Sequence, residues 1–289
     1  MVSSFAHFFS VRSFWFFTKT QRLPLRNEKI KVINNIKENN DAKPELEEYS
    51  AAEIEKWDRE WLSYLLAEYQ CQLASFREYP VTPPLPENPV DMINVAIINL
   101  SLGWGPPLSI YCHREAIMGK ALMELGCGAG ALGKCIARYC DSYLGVDCSR
   151  IALAIAKLVS PENCTYLHVN EHKELSKYFG TIDTVVSRFF WIHQNMEMAR
   201  RALTFLRYFL KPQGRIYMDF FMLCQEKAVG HWKNTWITLS PHDPLAEATS
   251  ATYEYTFEEI TTLIEEFGFK IIHHQPHGET QRRYIVITR

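Results

Sequence analysis

Apolar positions along the chain change their period near the middle. Between residues 50 and 79, Ile54, Trp57, Trp61, Leu65, Tyr69, Leu73 and Phe76 recur every three or four residues, which draws one apolar stripe down a helix. Ser50 with Glu53 forms a capping box at its start, and Pro80 ends it. From about residue 119 the pattern turns to short apolar runs alternating with amphipathic stretches. Ala121–Glu124, Ser142–Val146, Cys164–Val169, Ile182–Ser187 and Arg215–Phe220 predict strands, and Leu132–Tyr139, Ile151–Val159 and Met196–Leu210 predict the helices between them. Strands alternating with helices imply a parallel sheet covered on both faces and joined by right-handed crossovers. The C-terminal part departs from this rhythm. Thr256 with Glu259 caps a helix over Phe257–Phe267, and Gly268 ends it. Phe269–His274 and Arg283–Thr288 then predict strands separated only by the eight residues Gln275–Arg282. So short a link cannot hold a crossover helix, so these two strands pair antiparallel.

Composition narrows the class. The chain has 289 residues, 47% apolar and 22% charged, which excludes wholesale disorder, collagen and coiled coil. A formal net charge of -2 supplies no global positive field, so no DNA partner is expected and small or neutral partners come first. Eight cysteines include no C-x-x-C pair, which argues against a zinc knuckle and a stapled secreted domain and for a reducing compartment; no metal is expected. No run of 18 apolar residues exists, so no membrane span is expected. Residues 1–27 contain Arg12, Lys19, Arg22 and Arg26, no acid and seven large aromatics. A cytoplasmic location with a disordered tail is the expectation there, and an organellar location with a transit peptide is the alternative. The chain divides into a basic, aromatic tail and linker at 1–45, expected to be poorly ordered, a helical extension or lid at 46–118, and an α/β domain at 119–289. Pro80, Pro83, Pro84, Pro86 and Pro89 predict an extended connector within the extension, and Met222–Tyr255, with His231, Trp232 and Trp236, predicts a loop forming one wall of a pocket.

The candidate chemistry starts at Glu124-Leu-Gly126-Cys127-Gly128-Ala-Gly130. This turn lies between a strand and a helix, where open α/β sheets bind ligands, and its glycines let a ligand approach the backbone. Asp147 ends the next strand, where an acid accepts hydrogen bonds from ribose hydroxyls. Together they describe a nucleoside site. Gly128 to Gly133 also reads as G-x-G-x-x-G, the dinucleotide pattern, which leaves a nicotinamide-dependent oxidoreductase open. Glu124 argues against that, because a carboxylate beside the turn suits an ammonium better than a pyrophosphate.

Ala121-Leu-Met-Glu-Leu-Gly-Cys-Gly-Ala-Gly130 and Leu144-Gly-Val-Asp-Cys-Ser149 resemble motifs I and II of the class I S-adenosylmethionine-dependent methyltransferases. Ile182 to His193 resembles their fourth strand and its following substrate-side His, Leu210 to Ile216 the approach to the fifth, and Thr256 to Phe269 their late helix and sixth strand. The resemblance covers about 119–289. It implies a Rossmann-like seven-stranded sheet, mostly parallel with an antiparallel last strand, with helices on both faces and here an N-terminal helical extension. It implies S-adenosyl-L-methionine as cofactor, with Glu124, Gly126, Cys127, Gly128 and Gly130 about the methionine end, Asp147 at the ribose diol and Cys148 at the adenine. Glu171 would stand near the adenine amino group in place of the family's Asp, and Ser187 and Arg188 would border the methionine. His193 is the candidate general base for an acceptor that must lose a proton. No Asp-Pro-Pro-Tyr or Asn-Pro-Pro-Tyr follows the fourth strand, no Pro-Cys dipeptide occurs, and the double-glutamate loop of arginine methyltransferases is missing. A small-molecule N or O acceptor is therefore the expected partner, and a protein or RNA acceptor is the alternative.

Overall fold

The computed structural model describes residues 46–78, 94, 96, 97, 114–223, 237–249, 251–276 and 282–289, all within one compact unit that begins at residue 45. The tail, the proline connector and the stretch with His231, Trp232 and Trp236 lie outside the described residues. In chain order the elements are α1 (Ala51–Glu78), α2 (Arg114–Ile117), β1 (Ala121–Leu125), α3 (Ala131–Ile136), β2 (Ser142–Asp147), α4 (Arg150–Val159), β3 (Cys164–His168), α5 (His172–Leu175), β4 (Ile182–Ser187) and α6 (Met196–Phe209). Then follow β5 (Leu210–Met222), β6 (Ile237–Leu239), β7 (Ala251–Tyr255), α7 (Phe257–Glu266), β8 (Lys270–Pro276) and β9 (Arg282–Thr288).

Both capping boxes form. Thr256 Oγ1 accepts from Glu259 N at 3.1 Å while the Glu259 carboxylate accepts from Thr256 N at 2.8 Å. Ser50 and Glu53 make the same reciprocal pair at the start of α1. These bonds satisfy N–H groups that the first helical turn leaves without partners.

The sheet runs β3-β2-β1-β4-β5 in parallel, and β9 adds antiparallel to β5 on one edge and to β8 on its other. The antiparallel final strand is as expected, but the strand number is not: nine strands appear among the described residues, where seven were anticipated. The additional pair, β6 and β7, comes from the segment expected to be a loop. Phe221 of β5 pairs with both Arg282 of β9 and Glu254 of β7, so β7 lies on the edge of β5 that β4 occupies further back, beyond the point where β4 ends. β7 is the five-residue run Ala-Thr-Tyr-Glu-Tyr, buried throughout, and its polar alternate positions conceal it from an apolar-run reading.

The strands are apolar on both sides because both sides are covered. Met123, Leu125, Val185 and Met218 face a layer with Leu203, Leu206, Phe209, Ile260 and Ile264 of α6 and α7, whereas Leu122, Val186 and Tyr217 face Ile136 and Leu153 of α3 and α4. Glu124 alternates onto the second side, which sets an acid among apolar neighbours at the C-terminal end of β1.

Candidate functional site

At the C-terminal ends of β1, β2 and β4 lies a cavity of about 250 Å³. The glycine turn forms its floor. Gly128 has φ +52°, and a Cβ there would stand 2.5 Å from Cζ2 of Trp61, so this position requires glycine both for its backbone and for the indole packed on it. The Asp147 carboxylate, buried at 8% exposure, accepts from Gly128 N at 2.9 Å and from Ser149 N at 2.8 Å. Burial pushes its carboxyl above the ordinary value, and those backbone donors oppose the shift.

Glu124 is almost fully buried, accepts a short hydrogen bond from the Tyr143 hydroxyl and stands 3.7 Å from Nε of Arg188. Burial raises its carboxyl to about 7, with Arg188 and Tyr143 pulling the other way. The folded state therefore holds this proton more tightly than the unfolded chain, and Glu124 lowers stability as the pH rises from about 4.5 to about 7. Glu124→Gln removes that dependence, so its melting temperature should gain on the natural chain's between pH 5 and pH 8; a constant difference between the two proteins would contradict the assignment.

His193 ends a short turn, Trp191–His193, after β4. Its Nδ1 lies 3.0 Å from the carbonyl oxygen of Ala251 at the start of β7, and its ring meets Trp57 of α1 edge-on at 5.2 Å between centroids. Burial lowers its pKa below the ordinary imidazole value, although the Ala251 contact opposes the shift. With Nδ1–H donated to a carbonyl, the neutral ring presents Nε2 as its proton acceptor.

The backbone before His193 is strained. Phe189 has φ +54°, rare for an aromatic residue. Its N–H donates to Asp219 Oδ1 at 3.0 Å, and the Arg282 guanidinium lies 3.9 Å above its ring while donating Nε to Asp219 Oδ2 at 2.8 Å. This brace aims Arg188 and Phe190, on either side of Phe189, into the cavity wall.

Of the residues singled out from the sequence, Glu124, Gly126, Cys127, Gly128, Asp147, Cys148, Arg188 and His193 line this one cavity. Gly130, Ser187 and Glu171 do not. Gly130 packs against Tyr166 and Ala156 at the start of α3. The Ser187 hydroxyl donates to Leu125 O at 3.1 Å and ties β4 to β1. Glu171 accepts from His168 N at 2.7 Å and closes the turn after β3 instead of reaching the cavity.

The roof is α1, and sequence reasoning did not find what fastens it. Asn170 accepts from Tyr49 N at 2.8 Å and donates to Tyr49 O at 2.9 Å, just where the family resemblance anticipates a cofactor contact. Asp58 accepts from Ser149 Oγ at 2.8 Å and Ile151 N at 3.2 Å, and Arg201 pairs with Glu53 at 3.0 Å while stacking on Tyr49. Asp58, four residues after Ile54 and three before Trp61, lies beside the apolar stripe of α1, and nothing local marks it as a cap for another helix. Among the described residues no group of three His, Cys, Asp or Glu side chains is placed to hold a metal, and no helix is long and apolar enough to cross a membrane.

A glycine turn and a strand-ending acid at the carboxyl edge of a largely parallel sheet define a ligand-binding α/β domain of the doubly wound type. Comparison with known proteins makes this specific: residues 122–214 match the family model described as a methyltransferase domain. Over that stretch the chain is similar to methyltransferases. It is 28% identical over 114 residues to the mitochondrial ubiquinone biosynthesis O-methyltransferase of Schizosaccharomyces pombe, covering 38% of this chain and 41% of that one. It is 25% identical over 148 residues to an uncharacterized methyltransferase of Alkaliphilus oremlandii, covering 51% and 66%. The chain thus spans less than two thirds of either relative's length. Among solved structures it is similar to magnesium protoporphyrin IX methyltransferase from Synechocystis PCC 6803 with bound S-adenosylhomocysteine, at 16% identity and TM-score 0.45, over 78% of this chain and 97% of that one.

Proposed function

We propose that the protein is an S-adenosylmethionine-dependent methyltransferase acting on a small-molecule N or O acceptor. The observation that carries this reading is the meeting of the glycine turn, Asp147 and His193 in one cavity under an aromatic roof. In this reading residues 119–289 are the catalytic domain and residues 46–118 supply the lid.

The side chains present fit such a cofactor. Each Asp147 oxygen accepts one backbone N–H and, as a carboxylate oxygen, has capacity for another donor such as a ribose hydroxyl. Glu124 and Arg188 set an acid and a base side by side at the other part of the turn, complementary to an amino acid's ammonium and carboxylate. When bound, the cofactor supplies an electrophilic methyl group. The residues' own work is to align the acceptor and exclude water, for which Trp57, Trp61 and Phe190 form the walls, and to take a proton at Nε2 of His193. Walls drawn in by α1 favour a compact acceptor over a protein or RNA chain.

Calorimetric titration with S-adenosylhomocysteine, in parallel with NADH, tests the reading. Binding of S-adenosylhomocysteine supports it, and binding of NADH alone would replace it with the oxidoreductase. Labelled methyl groups recovered in extractable products distinguish a small acceptor from a macromolecular one. For His193→Gln the expected result is retained S-adenosylhomocysteine binding with turnover lower by roughly 10²–10⁴-fold. Turnover of the natural chain should rise with pH through a pKa below the ordinary imidazole value and be level at neutrality; this acid limb should vanish in the variant. The cytoplasm is the location we assign, with an organelle as the alternative that the mitochondrial relative favours; imaging of the tagged chain distinguishes them.

A further inference from the structure

The charged groups of the cavity wall are matched within the chain, with one exception. Glu124 meets Arg188 and Tyr143, Asp147 meets two backbone N–H groups, and Glu53 meets Arg201. Lys56 of α1, half-buried, donates to the neutral carbonyl oxygen of Ala246 at 2.7 Å and sits 5.3 Å from the Trp57 ring centroid. Among the described residues it makes no ion pair within 4 Å: Glu53, paired with Arg201, and Glu60, bound by the Thr249 hydroxyl at 2.6 Å, act on it only from further away. An ammonium has three donors, and one carbonyl leaves two to be satisfied. A partly desolvated cation in that position favours an anion from outside the chain. Trp57, between Lys56 and the His193 ring, and Trp61 one turn further give the same region flat apolar walls.

We propose that Lys56 is the specificity residue of the acceptor subsite, and that the acceptor is a flat, largely apolar molecule bearing a carboxylate. The carboxylate meets the Lys56 ammonium, the ring system lies along Trp57 and Trp61, and the methyl-accepting atom faces His193. Burial lowers the Lys56 pKa from the ordinary lysine value, with Cys148, Glu53 and Glu60 opposing the shift, and a bound carboxylate would oppose it further. This inference rests on the methyltransferase reading and adds the substrate class to it. It also gives α1, outside the segment that matches the family model, the task of choosing the acceptor.

The test is calorimetry at pH 7 on the full chain saturated with S-adenosylhomocysteine, using benzoate, methyl benzoate and benzylammonium as matched probes. Benzoate should bind tenfold tighter or more than the other two, on the order of one charge-assisted hydrogen bond. The preference should disappear in Lys56→Met and persist in Lys56→Arg, which keeps the charge. Equal affinity for the ester and the anion, a benzoate preference that survives in Lys56→Met, or no binding of any probe to the saturated chain would each overturn the inference. A chain that does not bind S-adenosylhomocysteine overturns the methyltransferase reading as well, so the two failures are told apart.

Discussion

Arg282→Ala should destabilise the fold by about 3–5 kcal/mol, the usual consequence of leaving one member of a buried ion pair behind. Asp219 is completely buried in the middle of β5, and Arg282 of β9 donates to it through both Nε and Nη2. Removing the guanidinium leaves the carboxylate with the Phe189 N–H, and the Phe189 ring loses the cation that lies on it. The left-handed backbone at Phe189 costs about 1–3 kcal/mol and persists only while its surroundings enforce it. We therefore expect the urea midpoint to fall sharply and the cofactor site to loosen with it. The double variant Asp219→Asn/Arg282→Met removes both charges, and it should recover part of the loss because no unpaired carboxylate remains. A single variant within about 0.5 kcal/mol of the natural chain, the range of ordinary surface changes, would show that the brace contributes nothing.

Asp147→Ala should lower S-adenosylhomocysteine affinity by about 10²-fold or more. Each hydrogen bond to a charged partner contributes about 1.5–3 kcal/mol, and this carboxylate makes two to the backbone. Those bonds tie Gly128 of the first turn to Ser149 of the second, so the substitution removes the proposed ribose acceptor and also releases the turn that shapes the rest of the floor. Asp147→Asn keeps one acceptor oxygen and should fall between the two. An unchanged dissociation constant in Asp147→Ala, measured by calorimetry, would remove Asp147 from the site.

The alternating core was legible because its signals are local. Ser50 and Glu53 cap α1, Thr256 and Glu259 cap α7, and the short link after residue 275 forced the antiparallel end. The glycine turn and Asp147 were legible for the same reason, since strand, turn, helix and strand-ending acid are consecutive. What escaped depends on partners far apart in the chain. The Asp219 carboxylate is explained by Arg282, sixty-three positions later, and neither residue carries a local mark of the other. Asn170 likewise carries no local mark of its partner Tyr49, 121 positions earlier. The family resemblance puts Glu171 at the adenine, but its carboxylate is three residues from the His168 N–H, and the local turn takes it. β7 was missed because burial of Thr252 and Glu254 reflects tertiary neighbours, which residue types alone do not reveal.

Asp58 completes the N-terminal cap of α4, and Trp61 occupies the space that Gly128 leaves open. The stretch that matches the family model is therefore not a self-sufficient module: two of its exposed seams are closed by the helix that precedes it. An evolutionary exchange of α1 would alter the acceptor wall and the floor packing in one event. The lineage that carries this helix should show residues 58 and 61 changing in step with 149 and 128, while the strands beneath keep their own pace.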